Sequence, residues 1–498
     1  MNVYEQHYWF SDAWDPMDYG FEYDFSESFF SQMKDFIKKV PFPSLNNWNA
    51  VNTEYANFAT DNKNCYMVLG GDFNENCLYS TFSFRCKDST ELYWVNKSEV
   101  CADLVDSEGN FNSIYSRYIK SCVNVDFSFN LTGCNDCLGC VNLRNKNNYI
   151  FNEACSKEDY NKKISELDFG SYANLERIKE KYKEVYKNSI FRPYKFTKTF
   201  NCTGDNIFNS KNCFYCFDVF GGAEYCRYIY LIADGVKDSY SCDHIGLKSE
   251  LCYESASIYP ATSVVCSWII LNSHNISYSI NCKNSSNLFG CIGLNNKKYC
   301  IFNKQYIKDE YEKLVPKIIE HMNTMPYKDD RGIVYKYGEF FPIELSPFCY
   351  NETIAQEVYP LSQGECADKN LKWKESEDKN YKSTIQAEDL PDNIRDTDES
   401  ILNEVISCQH ADKNCNENCI TAFRILPEEL KLYKRLSLAL PRLCPNCRHY
   451  QKVKQHNLPV LWHRKCMKEG CPNEFETTYS PDRPEIVYCE KCYQKEVY

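Results

Sequence analysis

The chain has 498 residues, thirty of them cysteine, and a formal net charge of −12. That length allows about three domains, and the acidic balance argues against a surface wholly built to coat nucleic acid. No apolar run reaches the roughly 18 residues of a membrane span. Met1 to Phe10 lacks a basic start and an apolar core, so no secretion signal is read and a cytoplasmic protein with no membrane contact is expected. Without a signal, so many cysteines point to metal ligands and buried thiols rather than disulfides. The 39 Tyr and 30 Phe, with abundant Asn, favour a mainly β, turn-rich body.

Residues 1–50 form an aromatic N-terminal segment. Within it Phe29, Met33, Phe36, Ile37 and Val40 recur at helical spacing between Ser26 and Pro41, predicting a helix that caps the body. The body is duplicated, as 51–200 and 201–323. Gly139-Cys140-Val141-Asn142-Leu143 matches Gly290-Cys291-Ile292-Gly293-Leu294, and Ile150-Phe151-Asn152 matches Ile301-Phe302-Asn303. A shorter beat runs inside each copy. Cys65, Cys77, Ser89 and Cys101 lie 12 apart; Cys213, Cys226, Ser239, Cys252 and Cys266 lie 13 or 14 apart. Such a period predicts a solenoid. Two beats would make one turn of a right-handed β-helix, and a flatter solenoid of one beat per turn is the alternative. Because Ser replaces Cys at some beats, buried free thiols explain the ladder better than a metal or redox function. Cys134, Cys137 and Cys140, three apart, are the one set in the body with a metal-like spacing. Each copy closes in short helices: Ser156 with Asp159 reads as a capping box, and Tyr311, Leu314, Val315, Ile318 and Ile319 form the stripe of the second copy, with Pro316 kinking or restarting it. Asp103 and Asp106 could line a sugar-cleaving groove, but solvated turns are the commoner use of such acids.

Residues 324–404 read as an extended acidic linker that wraps the body or tethers the tail. Residues 405–498 then hold paired cysteines. Cys415, Cys419, Cys444 and Cys447 make one set of four thiolates, and Cys466, Cys471, Cys489 and Cys492 a second. Each suits a closed, structural Zn²⁺ ribbon. Cys408 and His410, just upstream, offer a replacement ligand or a third site. From Lys431 to Lys468 there are ten Lys or Arg residues and no acid. Lys431, Lys434, Arg435, Arg448, Lys452, Lys454, Arg464 and Lys465, interleaved with Tyr433, Tyr450 and Trp462, therefore suggest contact with RNA, DNA or a ribonucleoprotein. The competing explanation is a solvated face beside negatively charged zinc sites.

Leu440-Pro441-Arg442-Leu443-Cys444-Pro445-Asn446-Cys447-Arg448 and Pro484-Glu485-Ile486-Val487-Tyr488-Cys489-Glu490-Lys491-Cys492-Tyr493 resemble a bacterial zinc-ribbon module. Nearly the whole chain is similar to a family of uncharacterised bacterial proteins, seen mainly in metagenomic genomes, that join cysteine-rich repeats to such ribbons. The resemblance implies a further ribbon pair before a Trp-x-Ser-Asp-x-Trp-Asp-Pro-like stretch; here Trp9 to Pro16 carries that stretch with no cysteine before it. The resemblance brings no activity with it. The expectation is a non-enzymatic zinc scaffold presenting its tail to nucleic acid. A structural or assembly protein, joined to protein partners or to copies of itself through ribbons and solenoid ends, is the second reading. A carbohydrate-active β-helix enzyme is the third.

Overall fold

A computed structural model describes residues 2–375, 381–411, 415 and 417–497. The two halves of the body form two separate parallel ladders. In the first, nine strands between Tyr66 and Ala154 pair in strict chain order; the second runs from Phe196 to Gln305. Both end alike. Ile150 pairs antiparallel with Glu153, and Ile301 with Lys304, so each ladder closes on a small hairpin. Among the described residues no helix is long and apolar enough to cross a membrane.

Register explains the beat. In the first ladder each residue pairs with the one a single beat further on: Val51 with Lys63, Lys63 with Glu75, Lys87 with Glu99. Phe214 pairs with Arg227, and Arg227 with Tyr240, in the second. Neighbouring strands are thus one beat apart, which corrects the two-beat turn and matches the flatter alternative. The physical reason is a left-handed backbone residue at every third position, as at Asn52, Tyr55, Phe58, Asp61 and Asn64. Corners this frequent bring the chain back beside itself in parallel register after one beat. Asparagine tolerates the left-handed region better than most residues, and here it also stacks. The Asn52 amide donates to Asn64 Oδ1 (2.9 Å), Asn64 to Asn76 (3.0 Å), and Asn76 to Asp88 (2.7 Å). Gly139 and Gly290, equivalent in the two copies, occupy the same kind of corner at φ 65° and 67°.

The interior is a second stack. Ser89 Oγ donates to the carbonyl of Lys87 and accepts from the N–H of Cys101 (3.0 Å). Cys101 Sγ reaches the carbonyls of Glu99 and Asn110. A small donor that can satisfy a carbonyl on its own rung fits this position, whether thiol or hydroxyl. Cys65, Cys77, Cys86, Cys101 and Cys122 are all buried and free. Among the described residues Cys134, Cys137 and Cys140 form no group of converging metal ligands.

The helix Phe29–Lys39 starts after Ser28 rather than at Ser26. It buries Phe29, Met33 and Phe36 against Phe289, Phe302 and the helix Lys308–Thr324, which runs through Pro316. Helices Lys157–Leu167 and Tyr172–Lys187 cover the first ladder; Ser156 caps the former by accepting from the Asp159 N–H (3.0 Å). The segment expected to be an extended acidic linker is not extended where it is described. Leu390, Ile394 and Ile401 are buried with Leu175, Ile178 and the first cysteine cluster of the tail. Asp392 accepts from Ser171 Oγ (2.6 Å) and the Ala173 N–H (2.9 Å), tying that segment to a helix start. Its acids lie between apolar residues spaced to reach one surface, and composition averages that pattern away.

The stacking makes a prediction. Cys101→Ser, which copies its neighbours Ser89 and Ser113, should change stability by less than about 1 kcal/mol, whereas Cys101→Leu should cost roughly 1–3 kcal/mol by overpacking. Denaturant unfolding of the two variants checks this, and both should retain the metal content of the unaltered chain.

Candidate functional site

Two groups of four cysteines converge in the tail. The first is Cys408, Cys419, Cys444 and Cys447; the second is Cys466, Cys471, Cys489 and Cys492. In each, the four sulfurs lie within 4.8 Å of one another. Cys408 therefore stands where the sequence placed Cys415. Spacing favoured the Cys415–Cys419 pair, but Cys408 follows the strand Ile406–Ser407, which pairs antiparallel with Ala422–Phe423 and carries it to the cluster. Its Sγ accepts from the Cys444 N–H (3.2 Å) and lies 3.9 Å from Cys447 Sγ. Cys419 and Cys444 sulfurs are also 3.9 Å apart. Cys444 precedes, and Cys447 lies in the first turn of, the helix Pro445–Val453, where the helix dipole favours thiolate charge.

The second group joins the hairpin Trp462–Lys465/Glu474–Thr477 to the helix Glu490–Val497. Cys471 Sγ lies 3.9 Å from Cys489 and 3.5 Å from Cys492. Asn473 Nδ2 and the Cys489 N–H donate to cluster sulfurs. Four soft donors at these separations suit a tetrahedral metal ion, and the N–H···S bonds are the outer support such sites need. Both sets are closed, so they have a structural rather than a catalytic form.

The basic stripe has a different fate. Arg448 is 6% exposed and Lys452 2%. Both meet Glu91 of the first ladder: Arg448 Nη1 pairs with Oε1, and Lys452 Nζ donates to Oε2 at 2.8 Å. Tyr433 Oη donates to the same carboxylate (3.0 Å), and Arg448 also pairs with buried Glu429 (3.2 Å). Burial alone would raise the Glu91 carboxyl, but Arg448 and Lys452 outweigh it and hold it well below the usual range. Arg448 and Lys452 are thus unavailable to a phosphate, which corrects their assignment. Arg435 pairs with Asp88 (3.0 Å), Lys454 with Glu417, and Lys465 with Glu474 (3.2 Å). Arg464 is half-buried and donates to the carbonyls of Ser480 and Glu485. Lys431 and Lys434 are exposed on the helix Pro427–Leu436. The stripe lacks acids along the sequence, but acids from elsewhere in the chain answer most of it in space.

The tail also touches both ladders. His456 is 8% exposed; its Nδ1 lies 2.8 Å from Asp106 of the first ladder, and its Nε2 is 3.4 Å from Asp218 of the second, without hydrogen-bond alignment. Asp106 is therefore paired with the tail, and Asp103 lies 3.9 Å from Lys452. Trp94 stacks between Phe82 and Phe220, where the ladders meet. Further on, Thr478 Oγ1 donates to Asp205 (2.6 Å), Ile486–Val487 pairs with Ile190–Phe191 in the connection between ladders, and Arg192 donates twice to Glu490 (2.7 Å each).

One large concavity, about 2850 Å³, is bordered by both ladders, the N-terminal segment, residues 340–357 and the Pro445 helix. Half-exposed Phe58, Phe73, Phe220, Leu247 and Phe348 line it. Sequence reasoning passed over this cleft, and Glu91 with it. Glu91 did leave a signal: it is the one carboxylate in the run Thr90-Glu91-Leu92-Tyr93-Trp94-Val95, buried throughout. Comparison with protein-family models gives no match, and searches of curated proteins and of solved structures give no significant match.

Two outcomes follow from this interface. Glu91→Ala leaves Arg448 and Lys452 buried without their carboxylate and should cost about 3–5 kcal/mol, read as a lower midpoint in urea. Burial would lower the His456 imidazolium, but Asp106 and Asp218 raise it to about 10. A raised histidine stabilises fully below its unfolded value, about 6.5, and loses that contribution as pH climbs through about 10. The melting-temperature gap between the unaltered chain and His456→Asn should be widest at pH 6.5 and narrow steadily toward pH 10. A gap that does not change with pH would remove His456 from the charge link.

Proposed function

We propose that this chain is a non-enzymatic scaffold in which two zinc ribbons lock two β-solenoids around a cleft, and that the cleft binds an extended, apolar polypeptide segment of a protein partner. The observation that carries this is the contrast between two surfaces. The cations of the tail are largely matched by carboxylates of the same chain, while Phe58, Phe73, Phe220, Leu247 and Phe348 stay half-exposed along one concavity. Apolar side chains gathered in a cleft mark a binding surface more strongly than scattered ones do. An extended peptide offers alternating side chains to such a surface. Zinc is favoured for the ribbons because four thiolates, closed and tetrahedrally spaced, are its usual structural set.

RNA or DNA binding retains Lys431 and Lys434, a small positive footprint for a phosphate backbone. Fluorescence anisotropy separates the two readings, using labelled extended peptides with alternating apolar residues, single-stranded RNA and duplex DNA. Peptides should bind, and Phe73→Asp with Leu247→Asp should weaken them by about tenfold or more while leaving circular dichroism unchanged. Salt-sensitive RNA binding that survives those changes and is lost in Lys431→Ala/Lys434→Ala would overturn the peptide reading.

A further inference from the structure

The first cysteine cluster has a neighbour. His410 Nδ1, Cys415 Sγ, a Glu417 carboxylate oxygen and Cys447 Sγ also lie within 4.8 Å of one another. Cys447 thus belongs to both groups, 3.9 Å from Cys408 Sγ on one side and 3.7 Å from Cys415 Sγ on the other. We infer that this corner of the tail holds two metal ions bridged by the Cys447 thiolate, the second bound by His410, Cys415 and Glu417.

The distances carry the argument. Zinc bond lengths of about 2.3 Å to sulfur and about 2.1 Å to nitrogen or oxygen give tetrahedral edges of roughly 3.8 Å between sulfurs, roughly 3.6 Å from sulfur to nitrogen or oxygen, and roughly 3.4 Å from nitrogen to oxygen. Cys415 Sγ lies 3.7 Å from Cys447 Sγ, 3.6 Å from His410 Nδ1 and 3.6 Å from Glu417 Oε2, and His410 Nδ1 is 3.3 Å from Glu417 Oε2. A salt bridge or a chance contact satisfies one of these edges; here four donors of three chemical kinds satisfy four of the six edges of a tetrahedron, and the remaining two, from Cys447 to His410 and to Glu417, lie within 4.8 Å. Glu417 is buried, and its other oxygen, Oε1, pairs with Lys454, which turns Oε2 toward the group as an outer partner of a metal ligand does.

Charge leads the same way. Five thiolates and a carboxylate around a single divalent ion would leave this corner at about −4, whereas two ions leave it near −2, the value of an isolated four-thiolate site. Among the described residues, Lys454 is the Lys or Arg paired with the group's carboxylate. The order Cys408, His410, Cys415, Glu417, Cys419 then has a reason: the outer two serve the first ion and the inner three the second.

This inference rests on the first ribbon holding zinc, and the test keeps the two apart. Native mass spectrometry of the full chain, loaded with zinc and exchanged into volatile buffer, should show three ions. His410→Ala/Glu417→Ala should show two, with circular dichroism unchanged. The unaltered chain loaded with ¹¹³Cd should give three resonances, two of them split by scalar coupling through Cys447 Sγ. Two ions in the unaltered chain, with uncoupled cadmium signals, would overturn the bridged pair and leave the ribbons intact. Fewer than two would overturn the zinc ribbons as well.

Discussion

A left-handed corner at every third residue is the constraint on which the rest of this molecule depends. Each such corner costs a non-glycine residue roughly 1–2 kcal/mol, so a chain that turns this often needs a return at each one. Asparagine lowers the cost and then hydrogen-bonds to the asparagine above it, as Asn52, Asn64 and Asn76 do. Each bond contributes about 1 kcal/mol net, enough to offset a corner but not to exceed it greatly. The surplus comes from the interior, where Val68, Leu92, Leu104 and Val125 are fully buried beside the thiols. The register follows from this arrangement. A slip of one residue would put every corner, every asparagine and every inward thiol in the wrong place at once.

Once the register is fixed, the outward positions become addressable. Glu91 and Asp106 stand at left-handed corners of the first ladder and Asp218 at one of the second. The tail reads these three acids with Arg448, Lys452 and His456, all within or just after one helix. The same helix carries two cysteines of the first cluster at its start, so the metal-competent cluster and the charge contacts are ends of one rigid element. Breaking either releases the other: without its cluster the helix loses its N-terminal anchor, and without Glu91 it carries two buried cations with no partner. The link between the ladders is therefore electrostatic at its centre, with Trp94, Phe220 and Val453 closing the apolar ring around it.

Much of this was readable in advance, and the failures share a cause. The beat and the duplicated pattern rest on residues close in sequence or repeated at a fixed interval. Ser89 and Ser239 in cysteine positions were enough to identify a stack of small donors. Cys408, by contrast, enters its cluster through pairing of Ile406 with Phe423, which the spacing of the cysteines does not encode. The basic stripe was misjudged for the same reason: its counter-charges are Asp88, Glu91 and Glu417, and two of these lie more than three hundred residues upstream. Composition described the acidic segment as an extended linker that wraps the body or tethers the tail, and Leu390, Ile394 and Ile401 at short intervals give it a buried face.

The cleft lies where these levels meet. Its walls include ladder corners, which explains why Phe58 and Phe73 can stand half-exposed without loss of the core: each occupies a left-handed position and stays out of the buried interior stack. The distance between the two walls, however, is set by the tail, through His456 between Asp106 and Asp218 and through Arg192 on Glu490. Apolar corners on walls held in place would suit the recognition role proposed above, and in this chain the holding element is the cysteine-rich tail.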